Sequence, residues 1–284
     1  MKAIATISRT NEILKKFGLY AKKSYGQNFI IEPTIVEKIA SLSSTDKNGC
    51  VIEIGPGIGA LTEQLAIISS KVIAYEIDDR LIDVLNYSLA DYDNVEVIHQ
   101  DFLKTDLSDK LKQLNEDYNS VRVCANLPYY ITTPILFKLF EYRESIDSIT
   151  VMMQKEVADR FKAEVNSQSY NALSIIVQYL YNVKQVMKIP KTIFNPKPKI
   201  DSAVVEFIPR DIDNPVENEE EFFLFVKACF KQRRKTLYNN LKVYTDDKEL
   251  SLKIITECGF KENVRAQEID IEGFKRLFTS YYER

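Results

Sequence analysis

Between residues 50 and 208 the chain alternates short Val/Ile-rich runs with segments of helical periodicity, and this alternation limits the possible folds most severely. The runs are VIEI (51–54), KVIAYEI (71–77), VEVI (95–98), VRVCA (121–125), SITVMM (148–153), VKQVMKI (183–189) and IDSAVVEFI (200–208). Between them lie LTEQLAII, DRLIDVLNYSLADY and ITTPILFKLFEYR, whose apolar residues recur at helical spacing. Parallel strands need a long crossover, so strand–helix alternation predicts an α/β fold with a parallel sheet covered by helices on both faces. The last two runs have no long helix between them, so they should form a hairpin-like pair with the final strand antiparallel. After Pro209 the polar, acidic stretch RDIDNPVENEEE reads as a linker. Helical patterns follow in EFFLFVKACFKQRRKTLYNNL, DKELSLKIITECGF and IEGFKRLFTSYYE. The expected division is an α/β domain over 1–208 with a basic N-terminal arm, and a small α-helical domain over 209–284.

No stretch approaches the ~20 apolar residues of a membrane-spanning helix, and the N-terminus lacks a signal-peptide pattern. The four cysteines, Cys50, Cys124, Cys229 and Cys258, form no CxxC and do not pair with the single His99. Neither a disulfide framework nor a metal site is expected, and the cytoplasm is the default compartment, without a membrane partner. The net charge of −3 argues, as an average, against a nucleic-acid partner. Its distribution argues otherwise. Residues 1–26 hold six Lys/Arg and one acid, residues 184–199 five Lys and no acid, and residues 227–242 six Lys/Arg and no acid. The acidic excess lies elsewhere, so a positive face is compatible with a negative total.

Three of the eight glycines, Gly55, Gly57 and Gly59, alternate in VIEIGPGIGALTEQLA, where a strand runs in and a helix leaves. Glycine permits the tight backbone and close ligand approach that a nucleotide site needs at the carboxyl ends of parallel strands. Gly55-x-Gly57-x-x-Ala60 also matches the dinucleotide fingerprint, with Glu76 placed 21 residues after Gly55 to bind a ribose. The motif alone does not separate a nicotinamide dinucleotide from S-adenosyl-L-methionine. Three features lean to the methyl donor. Glu53 precedes the turn, where a carboxylate suits an amino-acid group better than a pyrophosphate. Asp101 follows the third strand, placed for an adenine amine. The fourth strand ends in Asn126-Leu127-Pro128-Tyr129, which hydride transfer does not require.

That segment suits an exocyclic amine on a planar base, whose lone pair is delocalised into the ring. The Asn126 side-chain oxygen and the Leu127 carbonyl can each accept one N–H, favouring a pyramidal nitrogen and stabilising positive charge as a methyl arrives. Pro128 fixes the turn, and Tyr129 would stack on the base, a contact worth ~1–3 kcal/mol. A helical base must first be extruded, and Phe194 is the candidate for its second face. It is flanked by Lys191, Lys197 and Lys199, which could hold backbone phosphates.

With these residues in view the sequence resembles, over nearly its full length, the KsgA-type ribosomal small-subunit RNA adenine dimethyltransferases, in one superfamily with the erythromycin-resistance RNA methylases. The matching segments are KKSYGQNFI (22–30), EIGPGIGALT (53–62), YEID (75–78), QDFLKTD (100–106), NLPYYITTPIL (126–136), FNPKPKIDSAVV (194–205) and FKQRRKTLYNNL (230–241). The resemblance implies a Rossmann-like class I methyltransferase core with a small helical RNA-binding domain. It implies S-adenosyl-L-methionine as donor, and N6-dimethylation of two adjacent adenosines near the 3′ end of 16S rRNA in an immature 30S particle. By the same resemblance Gln27, Asn28 and Phe29 reach the donor, as do Glu53, Gly55, Gly57, Glu76, Ile77, Asp101, Phe102 and Asn126. Asn126, Leu127, Tyr129 and Phe194 form the target-base site. Lys22, Lys23, Lys191, Lys197, Lys199, Lys231, Arg233, Arg234 and Lys235 meet RNA, and the enzyme acts as a monomer without a metal. Tyr130 stands where some family members have Asn. The rival within the superfamily is a methylase of 23S rRNA, and a checkpoint role in subunit assembly is compatible with the enzyme activity.

Overall fold

All seven Val/Ile-rich runs become strands of one sheet. The computed structural model describes residues 2–19 and 28–283. In chain order the elements are α1 (Ile7–Lys16), β1 (Phe29–Ile30), α2 (Pro33–Leu42), β2 (Gly49–Ile54), α3 (Ala60–Ile68), β3 (Lys71–Glu76), α4 (Asp79–Ser88), β4 (Val95–His99), α5 (Ser108–Asp117), β5 (Ser120–Asn126) and α6 (Thr132–Phe140). They continue as β6 (Ser148–Gln154), α7 (Lys155–Phe161), α8 (Ala172–Leu180), β7 (Tyr181–Ile189), β8 (Phe194–Asn195), β9 (Ser202–Pro209), α9 (Glu219–Cys229), α10 (Leu237–Tyr244), α11 (Lys248–Glu257) and α12 (Ile271–Tyr282).

The sheet order is β4-β3-β2-β5-β6-β9-β7. The pairs β2–β3, β2–β5, β3–β4 and β5–β6 are parallel, and β9 runs antiparallel to β6. This is the Rossmann-like class I methyltransferase sheet, with its antiparallel strand where the missing crossover helix placed it. All six residues of β2 are buried, which is why the central strands read as continuous apolar runs rather than alternating ones. Strand order reverses beside β2, so the carboxyl ends of β2 and β5 open a crevice.

The chain divides into two compact units, Met1–Ala158 with Lys184–Pro209, and Asp159–Val183 with Arg210–Arg284. The sequence reading set its boundary between 208 and 209, so Asp159–Val183 falls on the other side of that division. The reason is packing. Helix α8 buries Ile175, Ile176, Val177, Tyr179 and Leu180, and the Tyr179 ring lies 5.2 Å from Phe222 of α9. Tyr170 donates its hydroxyl to the Ile269 carbonyl at 2.9 Å. A contiguous linear reading does not reveal a segment that leaves one unit and returns.

A second difference concerns the 221–241 pattern, which reads as one helix but forms two. Helix α9 ends at Cys229 and α10 begins at Leu237, capped by Thr236. Lys231, Arg233, Arg234 and Lys235 therefore stand on a loop, all exposed. The buried Asn240 holds that loop open: Gln232 N–H donates to Asn240 Oδ1 at 2.9 Å, and Asn240 Nδ2 donates to the Gln232 carbonyl at 3.3 Å. Among the described residues no helix is long and apolar enough to cross a membrane.

Candidate active site

The glycine-rich turn leaves β2 with three residues in left-handed backbone, Gly55 (φ 71°), Gly57 (62°) and Gly59 (91°). Side chains with a Cβ rarely adopt this conformation. A Cβ on Gly55 would stand 3.7 Å from Pro128, and one on Gly57 3.4 Å from the Phe29 ring. The turn therefore lies against the segment after β5 on one side and against β1 on the other. Gly59 is the N-cap of α3 and offers no side-chain cap to its first turn.

Three acidic side chains end three adjacent strands. Glu53, on β2, is 1% exposed, and its Oε2 has no hydrogen-bond partner. Burial pushes its carboxyl up to about 8; the Glu76 charge adds to this and the Thr62 hydroxyl opposes it. Glu76, at the end of β3, is also buried but well supported. It accepts backbone N–H groups from Gly57 (3.3 Å), Ile77 (2.9 Å) and Asp78 (2.9 Å). Burial raises its carboxyl above the ordinary range, and those N–H groups pull it back. Asp101, after β4, caps the turn Phe102–Lys104 by accepting Leu103 N–H at 3.0 Å, with Lys104 Nζ 3.7 Å from its Oδ2. The Glu76 carbonyl accepts Gln100 N–H at 3.0 Å, tying the last two strand ends together.

Beside them, β5 runs into the Asn126-Leu127-Pro128-Tyr129 turn. Leu127 N–H donates to the Met152 carbonyl at 3.1 Å, extending the ladder and leaving its carbonyl as the group this peptide can offer. The Pro128 carbonyl closes the turn by accepting Ile131 N–H (3.2 Å) and the Thr132 hydroxyl (3.0 Å). The Tyr129 hydroxyl lies 2.7 Å from Ser202 Oγ. No role for Ser202 was read from the sequence, although it stands in the matched segment FNPKPKIDSAVV.

Together these elements line one open cleft. Asn28, Phe29, Glu53, Gly55, Gly57, Glu76, Ile77, Asp101, Phe102, Asn126, Leu127 and Tyr129 all contribute to its wall, as does Tyr130, which is 54% exposed. Phe194 does not. It pairs with Ile30 through β8 and β1 and is 3% exposed within the main apolar core, so its ring is no exposed stacking face in this conformation. The loop around it carries Lys197 and Lys199 exposed, while Lys191 Nζ donates to the Lys199 carbonyl at 3.2 Å.

The basic N-terminal run is partly spoken for. Lys16 Nζ sits 3.7 Å from the Tyr87 ring centroid, and the Arg9 guanidinium lies 5.4 Å from the same ring. The start of the chain is held by Glu63, which accepts Ile4 N–H at 2.9 Å; the sequence offered no signal for this contact. Gln27, Lys22 and Lys23 lie outside the described residues.

Comparison with known proteins now adds a family. Residues 18–283 match the model of the ribosomal RNA adenine dimethylases. The chain belongs to that family. It is 50% identical over 282 residues to the ribosomal RNA small subunit methyltransferase A of Bacillus pumilus, covering 97% of this chain and 96% of that one. It is 46% identical to the protein of the same name from Staphylococcus aureus, covering 98% and 95%. Among crystal structures, a dimethyladenosine transferase from Plasmodium falciparum superposes with a TM-score of 0.73 at 27% identity, covering 89% of this chain and 97% of that one. The 23S rRNA methyltransferase ErmE gives 0.68 at 25% identity, covering 89% and 99%.

Proposed function

We propose that this dimethylase uses S-adenosyl-L-methionine to dimethylate the N6 amines of two adjacent adenosines near the 3′ end of 16S rRNA. It would act on the pre-30S particle during small-subunit biogenesis, as a monomer in the cytoplasm. One observation carries the reading: Asn126-Leu127-Pro128-Tyr129 lines the same cleft as Glu53, Gly55, Gly57, Glu76 and Asp101.

The residues fit such a donor. Glu53 presents a buried carboxyl oxygen without a partner, the demand a cationic amino-acid group satisfies. Glu76 is already oriented by three backbone N–H groups, and its remaining lone pairs suit ribose hydroxyls. Asp101 is fixed by its cap and can accept an adenine amine. When bound, the donor supplies a methyl group activated on a positively charged sulfur.

The chain's own contribution is position and electrostatics. Asn126 and the Leu127 carbonyl draw on the two N–H bonds of the target amine and steady the charge that develops on nitrogen. Tyr129 holds the ring plane. Glu53, Glu76 and Asp101 would hold the donor that supplies the methyl for the new N–C bond and keeps the methyl–sulfur electron pair on sulfur. The alkylated nitrogen is acidic enough to lose its proton to water. After the first transfer only one N–H remains, so the second proceeds with one of the two acceptors unmatched and with room for the first methyl.

The names of the relatives at 46–50% identity support the small-subunit substrate. The structural likeness to ErmE favours 23S rRNA as the second reading. Labelled methyl transfer to undermethylated 30S and 50S particles, with the modified nucleotide mapped, tests both. The expected product is dimethyladenosine in 16S rRNA, and transfer to 50S alone would overturn the assignment.

A further inference from the structure

A tyrosine on a turn holds its ring only as firmly as the far end of that ring is anchored. Tyr129 stands on the turn between β5 and α6, and its hydroxyl meets Ser202 Oγ at 2.7 Å across 73 residues of sequence. Ser202 is the first residue of β9, fully buried and in register with Gln154 of β6. The anchor is therefore fixed by the sheet, not by another loop. Its neighbour Asp201 serves the other direction. The Asp201 carbonyl accepts Lys155 N–H at 3.1 Å, and its Oδ1 accepts Lys191 N–H at 2.9 Å, where the loop bearing Lys191, Lys197 and Lys199 begins. Two consecutive residues tie the aromatic wall of the cleft and the basic loop to one strand end.

We propose that Ser202 is a positioning residue for the target base: it locks the plane of the Tyr129 ring so that an extruded adenine meets a surface already in place. The inference rests on the reading of Tyr129 as the base-stacking wall. Stacking needs the ring and not its hydroxyl, so the hydroxyl is explained by the anchor. A ring held at both ends need not be ordered when the base arrives, and the benefit falls on the target side of the reaction. Among the described residues no side chain proposed for the donor hydrogen-bonds Ser202 or the Tyr129 hydroxyl.

The test is a double-mutant cycle on the full chain with undermethylated 30S particles. It uses Ser202→Ala, Tyr129→Phe and the double variant, with Tyr129→Ala as reference. A neutral hydrogen bond of this kind corresponds to a loss of roughly three- to tenfold in kcat/KM for the particle. Each single variant should show that loss with donor affinity by calorimetry unchanged, and the double variant should lose no more than either single one. Multiplicative losses would overturn the proposal, as would wild-type behaviour of both single variants. Tyr129→Phe removes the same bond from the less buried partner, so the test survives if Ser202→Ala fails to fold. Tyr129→Ala separates the two levels. If it retains wild-type kcat/KM, the stacking reading itself fails. If it is severely impaired while Tyr129→Phe and Ser202→Ala are silent, only the anchoring role fails.

Discussion

The side of the cleft proposed to hold the donor and the surfaces proposed to meet RNA are built on opposite plans. On the proposed donor side two carboxylates at or just beyond strand ends are fixed by backbone hydrogen bonds, Glu76 by three N–H groups and Asp101 by its own cap, while Glu53 is held by burial. On the RNA side the charges stand on loops. Lys197 and Lys199 are exposed beside β8, and Lys231, Arg233, Arg234 and Lys235 are exposed between α9 and α10. The difference teaches how each partner is read. A small donor must be met by groups at fixed distances in a low-dielectric site, whereas phosphates accept long, mobile cations at little cost in geometry.

The sharpest way to break this contrast is at the turn after β5 proposed to hold the target amine. Asn126→Ala should lower methyl transfer by about 10²–10³-fold, the loss typical of one preorganised polar group at a developing charge. Donor affinity by calorimetry should stay near wild type; an equal loss of donor binding would move Asn126 wholly to the donor side. Next in size is Phe194→Ala. A buried phenylalanine costs about 3–5 kcal/mol on truncation, so the variant should show that loss in denaturant unfolding. A loss below about 1 kcal/mol would mean that the ring does not belong to the core and is free to serve the base.

Glu53 gives a pH test of the donor side. Its carboxyl sits at about 8 against an ordinary 4.5, so it is mostly protonated at pH 7 in the donor-free protein. A cationic ligand favours the ionised form. Donor binding at pH 7 should therefore release close to one proton. Affinity should rise with pH at up to about tenfold per unit and level off above about 8. Calorimetry in buffers of different ionisation enthalpy measures the proton directly, and Glu53→Gln should abolish its release. The folded state also holds this proton where the unfolded chain has lost it, so the Glu53 contribution to stability falls as pH rises from about 4.5 to 8. The smallest effect belongs to the RNA side. Reversing Arg233 and Arg234 to Glu should weaken particle binding and reduce the slope of log affinity against log salt by about 1.5. Donor affinity should not change, and an unaltered slope would remove that loop from the RNA surface.

The same contrast explains what could be read before any coordinates. Strands, their parallel sense, the reversed β9 and the glycine-rich turn that lines the cleft were legible because burial on both faces and left-handed glycines leave marks at fixed spacing. Charge runs carry no such geometry. Arg9 and Lys16 count as basic residues but face Tyr87. The stretch from Lys231 to Lys235 continues a helical pattern, yet Thr236 and Asn240 break it through contacts no periodicity reveals. Phe194 looked like a lid because prolines and lysines surround it, and only its pairing with Ile30 shows a core residue. Ser202 and Glu63 act across 73 and 59 residues of chain, distances over which a single sequence is silent.

The segment Asp159–Val183 also bears on how the protein is made. Helix α8 leaves the ribosome well before α9 and α12, the helices that pack against it, with Phe222 of α9 against Tyr179. With synthesis at ~5–20 residues per second, α12 follows roughly 90 residues later, so the apolar side of α8 waits several seconds for its cover. A nascent chain of this enzyme therefore carries an uncovered apolar helix face in the interval after its sheet is complete and before its last helix emerges.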